Sequence, residues 1–396
     1  MRTPSVLAPG SYTRWRYALP QTGRGATHSA RMKSDSARTR RKPVDEAAAL
    51  RHGTLDLPSV HVDGYSLMVR GPTGFVGDAA SQTAFRKLLQ AWRKRHRRRN
   101  RADPLRGKDS KRIAKRELDE VLRAPVASAA SDMLDAAIEE FAVELVQVIE
   151  RYCKHPTWQR VERVVIGGGF PGSAVGEHAL LQAGTILHQQ GSRVTLARLC
   201  NDVDDAGLIG WVHLTPPALV AQYDAILAVD IGGTNVRCGI VETRRAKAKD
   251  LSRARVLRRH KWRHADDSPS RGDLMEGIAQ MLHELAAHAR RKGIALAPFV
   301  GVACPGRVLG DGSISRGAHN MPGDWSSDHF HLPQALAQLL PDIDGRRPDV
   351  LLHNDAVVQG LSELPFMQDV RHWAVLTIGT GLGNATYTNV ATEKKG

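Results

Sequence analysis

The sequence predicts an α/β protein, and it does so through three features. Two apolar, β-branched runs, 225–242 and 373–389, each break at glycine and threonine and then resume, as hairpins do. Amphipathic stretches with helical spacing alternate with such runs, most clearly at 131–152 and from Asp273 onward. A third apolar run, VERVVIGGGF at 161–170, ends on Gly167-Gly168-Gly169.

At 396 residues, 42% hydrophobic and 24% charged, the chain is long enough for two domains and has the composition of a soluble globular protein. Its net charge of +15 is unevenly placed. Residues 1–123 hold 28 Lys and Arg against 11 Asp and Glu, or +17, whereas the remainder is −2. The basicity therefore belongs to one end. Cys153, Cys200, Cys238 and Cys304 are far apart, which suits a reducing cytoplasm and argues against a zinc knuckle or disulfide framework. No apolar run is long enough to span a membrane.

Residues 1–57 read as a basic, disordered tail rich in Arg, Ser, Thr, Pro and Gly. The first acidic residue is Asp35, which fits a targeting peptide, and Met32 is an alternative start. From Val60 a short strand and turn are expected. The next stretch is helical at its start through Phe85, Leu88, Leu89 and Trp92, and densely basic from Arg93 to Arg101. A nucleic-acid or polyphosphate contact by 86–116 is one reading of that density. A solvated, charged loop is favoured over it, because no aromatics interleave with the charge.

In 131–152 the stripe Leu134, Ile138, Phe141, Leu145 and Tyr152 marks a core-facing helix, with Glu139, Glu140 and Glu144 off it. A strand is expected at 193–198, then a short helix opened by Asp204 and Asp205, then a stop at Pro216-Pro217. After the first hairpin come a basic strand at 256–262 and a helix from Asp273 carrying Leu274, Ile278, Met281, Leu282 and Leu285, capped by Gly293. A strand follows at 298–304 and another ends at His353-Asn354-Asp355.

Several of these junctions have chemistry available to them. Asp230, Gly232, Gly233, Thr234 and Asn235 form a hairpin tip whose N–H groups can make an anion nest, with the aspartate beside it for a hydrated magnesium ion. An ordinary glycine turn is the alternative. Gly379-Thr380-Gly381 repeats the pattern, so a phosphate chain could be gripped from both sides. The Gly167–Gly169 triplet suits either a flat adenosine lying on bare backbone or a sharp strand-to-helix turn. Asp355 stands where a strand meets a helix, placed either to take a proton from a bound hydroxyl or to cap the helix. The loop 319–325, with Asn320, Asp324 and Trp325, suits hydrogen bonding and stacking of a sugar, or simple turn chemistry.

Asp-Ile-Gly-Gly-Thr-Asn at 230, Cys-Pro-Gly at 304, Asn-Met-Pro-Gly-Asp-Trp at 320, Asn-Asp-Ala at 354 and Gly-Thr-Gly-Leu-Gly at 379 resemble, in order and spacing, the ROK (repressor, ORF, kinase) family of sugar kinases and repressors. The resemblance implies an actin-like ATPase (ribonuclease H-like) fold of two α/β lobes. It also implies transfer of the γ-phosphoryl group of ATP, with Mg2+, to a sugar hydroxyl. On it Asp355 is the catalytic base, Asn320, Asp324 and Asn354 contact the sugar, and Asp230 serves magnesium. Gly232, Gly233, Thr234, Asn235, Gly379, Thr380 and Gly381 then serve the phosphates, and Gly167, Gly168 and Gly169 the adenosine.

In that family a strand ending in a glycine triplet and an Ala-Gly-Leu-Ile-Gly-Ala helix follow the second hairpin. Here their counterparts, VVIGGGF at 164–170 and DDAGLIGWVHL at 204–214, precede the first hairpin. The sequence thus resembles a circularly permuted member over about 58–390. It implies a nucleotide lobe from 58–215 plus 362–396 and a sugar lobe from 216–361. The family's Glu-x-Gly-His motif and Cys-x-Cys cluster have no counterpart after the second hairpin. That leaves altered sugar recognition, no zinc or a partly disabled site as open readings.

Two functions are carried forward. The first is a cytoplasmic, glucokinase-like hexose or amino-sugar kinase using ATP, with a polyphosphate donor as a variant and a homodimer left open. The second is a non-catalytic, sugar-sensing regulator that binds nucleic acid through its basic N-terminal segment, although residues 1–60 lack a helix-turn-helix pattern.

Overall fold

A computed structural model describes residues 51–390 except 73, 106, 108, 319, 320 and 328. The expected tail over 1–50 and the candidate Asn320 therefore lie outside the described residues. The chain begins with β1 (Val60–Tyr65), the two-residue strands β2 (Arg70–Gly71) and β3 (Gly74–Phe75), and helices α1 (Gln82–Asn100), α2 (Lys115–Leu122) and α3 (Ala129–Tyr152). Next come β4 (Arg163–Gly167), α4 (Ala174–Gln189), β5 (Thr195–Arg198), α5 (Val203–Ile209) and α6 (Pro217–Gln222). The second half holds β6 (Ala225–Ile231), β7 (Val236–Glu242), β8 (Arg255–Trp262), α7 (Arg271–Arg291), β9 (Leu296–Cys304) and α8 (Leu332–Leu339). It closes with β10 (Asp349–Asn354), α9 (Asp355–Leu361), β11 (His372–Ile378) and β12 (Leu382–Asn389).

These strands build two five-stranded sheets of one design, ordered β8-β7-β6-β9-β10 and β1-β12-β11-β4-β5. In each, three antiparallel strands are followed by two parallel ones. The first sheet is laid down in chain order. In the second, the strands in the matching places are β11, β12, β1, β4 and β5, so its third strand comes from the other end of the described chain. Fold class is accordingly mixed α/β, as the alternating runs predict. No helix among the described residues is long and apolar enough to cross a membrane.

Apolar periodicity accounts for the packing. The α3 stripe is wholly buried, and Phe141 meets Phe85 of α1 and Phe170 with ring centroids 5.7 and 4.9 Å apart. Burying such a ring contributes about 2–3 kcal/mol, so Phe170 anchors the chain directly after the glycine triplet. A second core lies beneath α7 and α8, and a third joins the two sheets around α5 and α9. Those two helices cross at backbone contact, since a Cβ on Gly210, which follows α5, would stand 1.7 Å from the Val358 carbonyl oxygen.

The basic stretch differs from the favoured reading of a charged loop. It is helical through Asn100, opened by the Ser81 side chain and closed by Arg101 in the left-handed region. Arg and Lys are good helix formers, and Arg93 points inward to a paired hydrogen bond with Asp103, at 3.2 and 2.7 Å. Arg97, Arg98 and Arg99 remain exposed. With β1 inside a sheet and α1 packed on α3, residues 60–123 are part of the fold and not a detachable arm.

Candidate active site

Both hairpins end at one place. The tip between β6 and β7 is closed by Gly232 N–H donating to the Asn235 carbonyl at 2.9 Å, and the tip between β11 and β12 by Gly379 N–H donating to Gly381 at 2.9 Å. Across the gap, Thr234 Oγ1 and Thr380 Oγ1 are 3.3 Å apart. Each turn is braced from behind. The buried His264 ring lies 2.8 Å from the Gly232 carbonyl, while Gln82 N–H and Thr83 Oγ1 at the start of α1 donate to the carbonyls of Gly379 and Thr380.

The glycine triplet joins the second tip. Gly168 has φ +84°, and a Cβ there would lie 2.5 Å from the Ile378 carbonyl oxygen, which itself accepts from Phe170 N–H at 3.0 Å. Only glycine fits both the angle and the approach. Lys115 of α2 donates to the Gly169 carbonyl. Burial lowers the pKa of this lysine, with Arg86 and Lys261 adding to the effect and Asp119 opposing it.

Asp230, at the end of β6, is cross-strand to Arg237, which donates to its Oδ2 at 3.0 Å. Arg237 also donates to Asp204 at the start of α5, 2.8 Å away, and Lys261 donates to the same carboxylate at 2.7 Å. Burial works against Asp204, yet the hydrogen bonds and charges of Lys261 and Arg237 outweigh it and hold its pKa down to about 2. Asp230 is raised by burial, with Arg237 partly offsetting.

Asp355 is the first residue of α9, and the cap is Asn354 instead, whose Oδ1 accepts from the N–H groups of Ala356 and Val357. Asp355 Oδ1 shares that N–H of Ala356, at 2.8 Å. Burial, then the negative charge of Asp230, push its pKa up to about 7 despite the Ala356 N–H beside it. The opposing pull of a helix N-terminus is smaller, about 0.3–1 kcal/mol. A carboxylate so poised can accept a proton near neutral pH.

The remaining candidates are placed differently. Asn354 is buried, with Nδ2 donating to the Gly306 carbonyl at 3.0 Å and to Ser66 Oγ at 3.4 Å, so its amide builds the site from beneath. Asp324 is exposed and accepts from Ser326 N–H and Oγ at 3.0 and 3.1 Å. Trp325, expected to stack on a sugar, is 2% exposed, donates to the Pro322 carbonyl and packs edge-on against Phe330. Its indole completes the core under α8, where burial outweighs exposure on a loop. Sequence reasoning missed Arg237, Asp204 and Lys261. The register of the first hairpin places Arg237 opposite Asp230 and could have revealed it, whereas the other two come from distant elements.

Among the described residues no group of three or more His, Cys, Asp or Glu gathers as a metal site. A magnesium ion carried on phosphates needs only one or two carboxylates. Asp230 fits that demand, because Oδ1 receives no hydrogen bond from the described residues.

Residues 226–394 match the model of the ROK family. Over these residues the chain is similar to the ROK family. Solved structures similar to parts of the chain include a ROK family glucokinase from Streptomyces griseus in complex with glucose and AMPPNP, at 26% identity, covering 40% of this chain and 43% of that one, with a TM-score of 0.29. A candidate N-acetylmannosamine kinase from Listeria monocytogenes is 28% identical, covering 42% and 47%, with a TM-score of 0.28. A candidate sugar kinase from Cytophaga hutchinsonii is 22% identical, covering 41% and 47%, with a TM-score of 0.30. The chain spans less than half the length of each structure. No curated protein matches it. Beyond the matched residues lie β1 and β4, which hydrogen-bond to the matched strands β12 and β11.

Proposed function

We propose that the protein is an ATP-dependent sugar kinase acting on a hexose or amino sugar, built as a circularly permuted actin-like fold. The observation that carries the proposal is the meeting of the two Gly-Thr tips at 3.3 Å, together with an Asp355 whose pKa is raised by burial and then by the charge of Asp230. Supporting the permutation is the repeated sheet design, in which the second sheet starts its strand order at β11 and takes its third strand from β1.

In this mechanism the N–H groups of Gly233, Thr234, Thr380 and Gly381 hold the phosphate chain, and Thr234 and Thr380 add hydroxyls from opposite lobes. The bare backbone at Gly169, where a Cβ would meet nothing within 4 Å, receives the adenosine. Asp230 holds magnesium, which when bound neutralises phosphate charge and orients the transferring group. Asp355 takes the proton of the acceptor hydroxyl as it attacks. In phosphoryl transfer positioning and electrostatics supply most of the rate, and both lie in parts that the chain retains. The test is a coupled ADP-release assay with ATP, magnesium and a panel of hexoses and amino sugars. Sugar-dependent turnover that disappears in Asp355→Ala is expected; turnover unchanged by that substitution would remove the proposed base.

A further inference from the structure

A loop lies beside the start of α9. It is Tyr65-Ser66-Leu67, where β1 leaves its sheet. Asn384 of β12 grips this loop through three hydrogen bonds. Ser66 N–H donates to its carbonyl at 3.0 Å, Leu67 N–H donates to its Oδ1 at 2.9 Å, and its Nδ2 donates to the Leu67 carbonyl at 3.1 Å. The grip is fixed above α9, because a Cβ on neighbouring Gly383 would lie 3.4 Å from the Cβ of Ala356. Tyr65 ties the loop to the opposite lobe, donating from its hydroxyl to the Val308 carbonyl at 3.1 Å. Ser66 Oγ ends 3.4 Å from Nδ2 of Asn354, the residue before Asp355.

Ser66 has φ +52°, a left-handed conformation that serine adopts at a cost and glycine adopts freely. Strain of this kind, held by the bonds to Asn384 and set beside Asn354, is the kind that functional loops carry. Since Ser66 Oγ accepts from Asn354, its own proton is free to be donated into the cleft, and a sugar offers oxygens that accept it.

We infer that Ser66 is a contact for the acceptor sugar, held over the Asp355 end of α9 by Asn384 and Tyr65. The inference rests on the sugar-kinase reading. It assigns to the segment just after β1 a wall of the acceptor site, with Asp355 below it.

The test is Ser66→Gly in the full chain, because glycine suits the backbone angle and removes only the hydroxymethyl group. Calorimetric titration with D-glucose and N-acetylmannosamine, and separately with AMPPNP, is run beside the coupled assay and a thermal melt. Expected is a loss of about tenfold in sugar affinity and a rise of about tenfold in acceptor KM, the factor for one hydrogen bond, with AMPPNP affinity unchanged and melting temperature equal or higher. Sugar affinity equal to the parent's would overturn the assignment. Should the parent bind a sugar without phosphorylating it, the kinase role fails while Ser66 is still judged by the change in affinity. Should the parent bind neither sugar, both fall.

Discussion

Replacing Asp355 by asparagine is expected to abolish turnover and to stabilise the fold. The parent carboxyl moves from its ordinary pKa of 3.8 to about 7, because it is desolvated and faces Asp230. A shift of about 3 units at about 1.36 kcal/mol each corresponds to about 4 kcal/mol spent in keeping the group ionised at mildly alkaline pH. Solvent at the cleft mouth and local relaxation reduce that to about 2 kcal/mol. As the folded-state pKa lies above the unfolded one, the penalty is absent below the unfolded value, grows as pH rises and is complete once pH has passed the folded value. Asparagine retains the shape and carries no charge, so its stability should not fall over that window. Urea unfolding of both proteins across the window, paired with the coupled assay, reads the two effects together. Expected are a loss of about 100- to 10,000-fold in kcat and a gain of about 2 kcal/mol at the alkaline end. A variant that is less stable than the parent there would show that Asp355 serves the helix end, and the reasoning from burial and Asp230 would be refuted.

Other expectations follow from the same geometry. The parent's kcat/KM should rise with pH through about 7 as Asp355 ionises, and a flat profile would argue against it as the base. Arg237→Met should leave Asp230 without its cation while Asp204 keeps Lys261, lowering stability by about 3 kcal/mol in chemical denaturation. The same variant should shift the pH–rate profile toward alkaline values, because the Asp230 charge felt by Asp355 is less compensated. Gly168→Ala should cost about 1–3 kcal/mol from the contact with Ile378 and the positive φ, and should weaken nucleotide affinity more than sugar affinity. Equal losses for both ligands would mean that the triplet does not adjoin the nucleotide.

What the sequence revealed is what local chemistry encodes. Glycine and threonine between β-branched runs marked both hairpins, and the spacing of Leu134, Ile138 and Phe141 marked α3, because side-chain period follows directly from backbone geometry. Asp355 could be found at its strand-to-helix junction, but its neighbour Asn354 proved to be the cap. Long-range partners were hidden. The role of Arg93 depends on Asp103 folding back, the state of Asp230 on Arg237 and Asp204, and the burial of Trp325 on a core assembled from α8 and Phe330. Least legible was the loop at Ser66. Nothing in its composition announces a site, and it gains meaning only because β1 pairs with β12 from the far end of the described chain.

The most direct measurement is phosphorus NMR of the purified protein with ATP, magnesium and each sugar of the panel in turn. A two-lobed cleft formed by the tips at Thr234 and Thr380 with Asp355 as base should give a sugar-phosphate resonance growing in step with ADP, only when sugar is present. A folded protein that yields inorganic phosphate alone, or no product with any sugar, would contradict a sugar-kinase role.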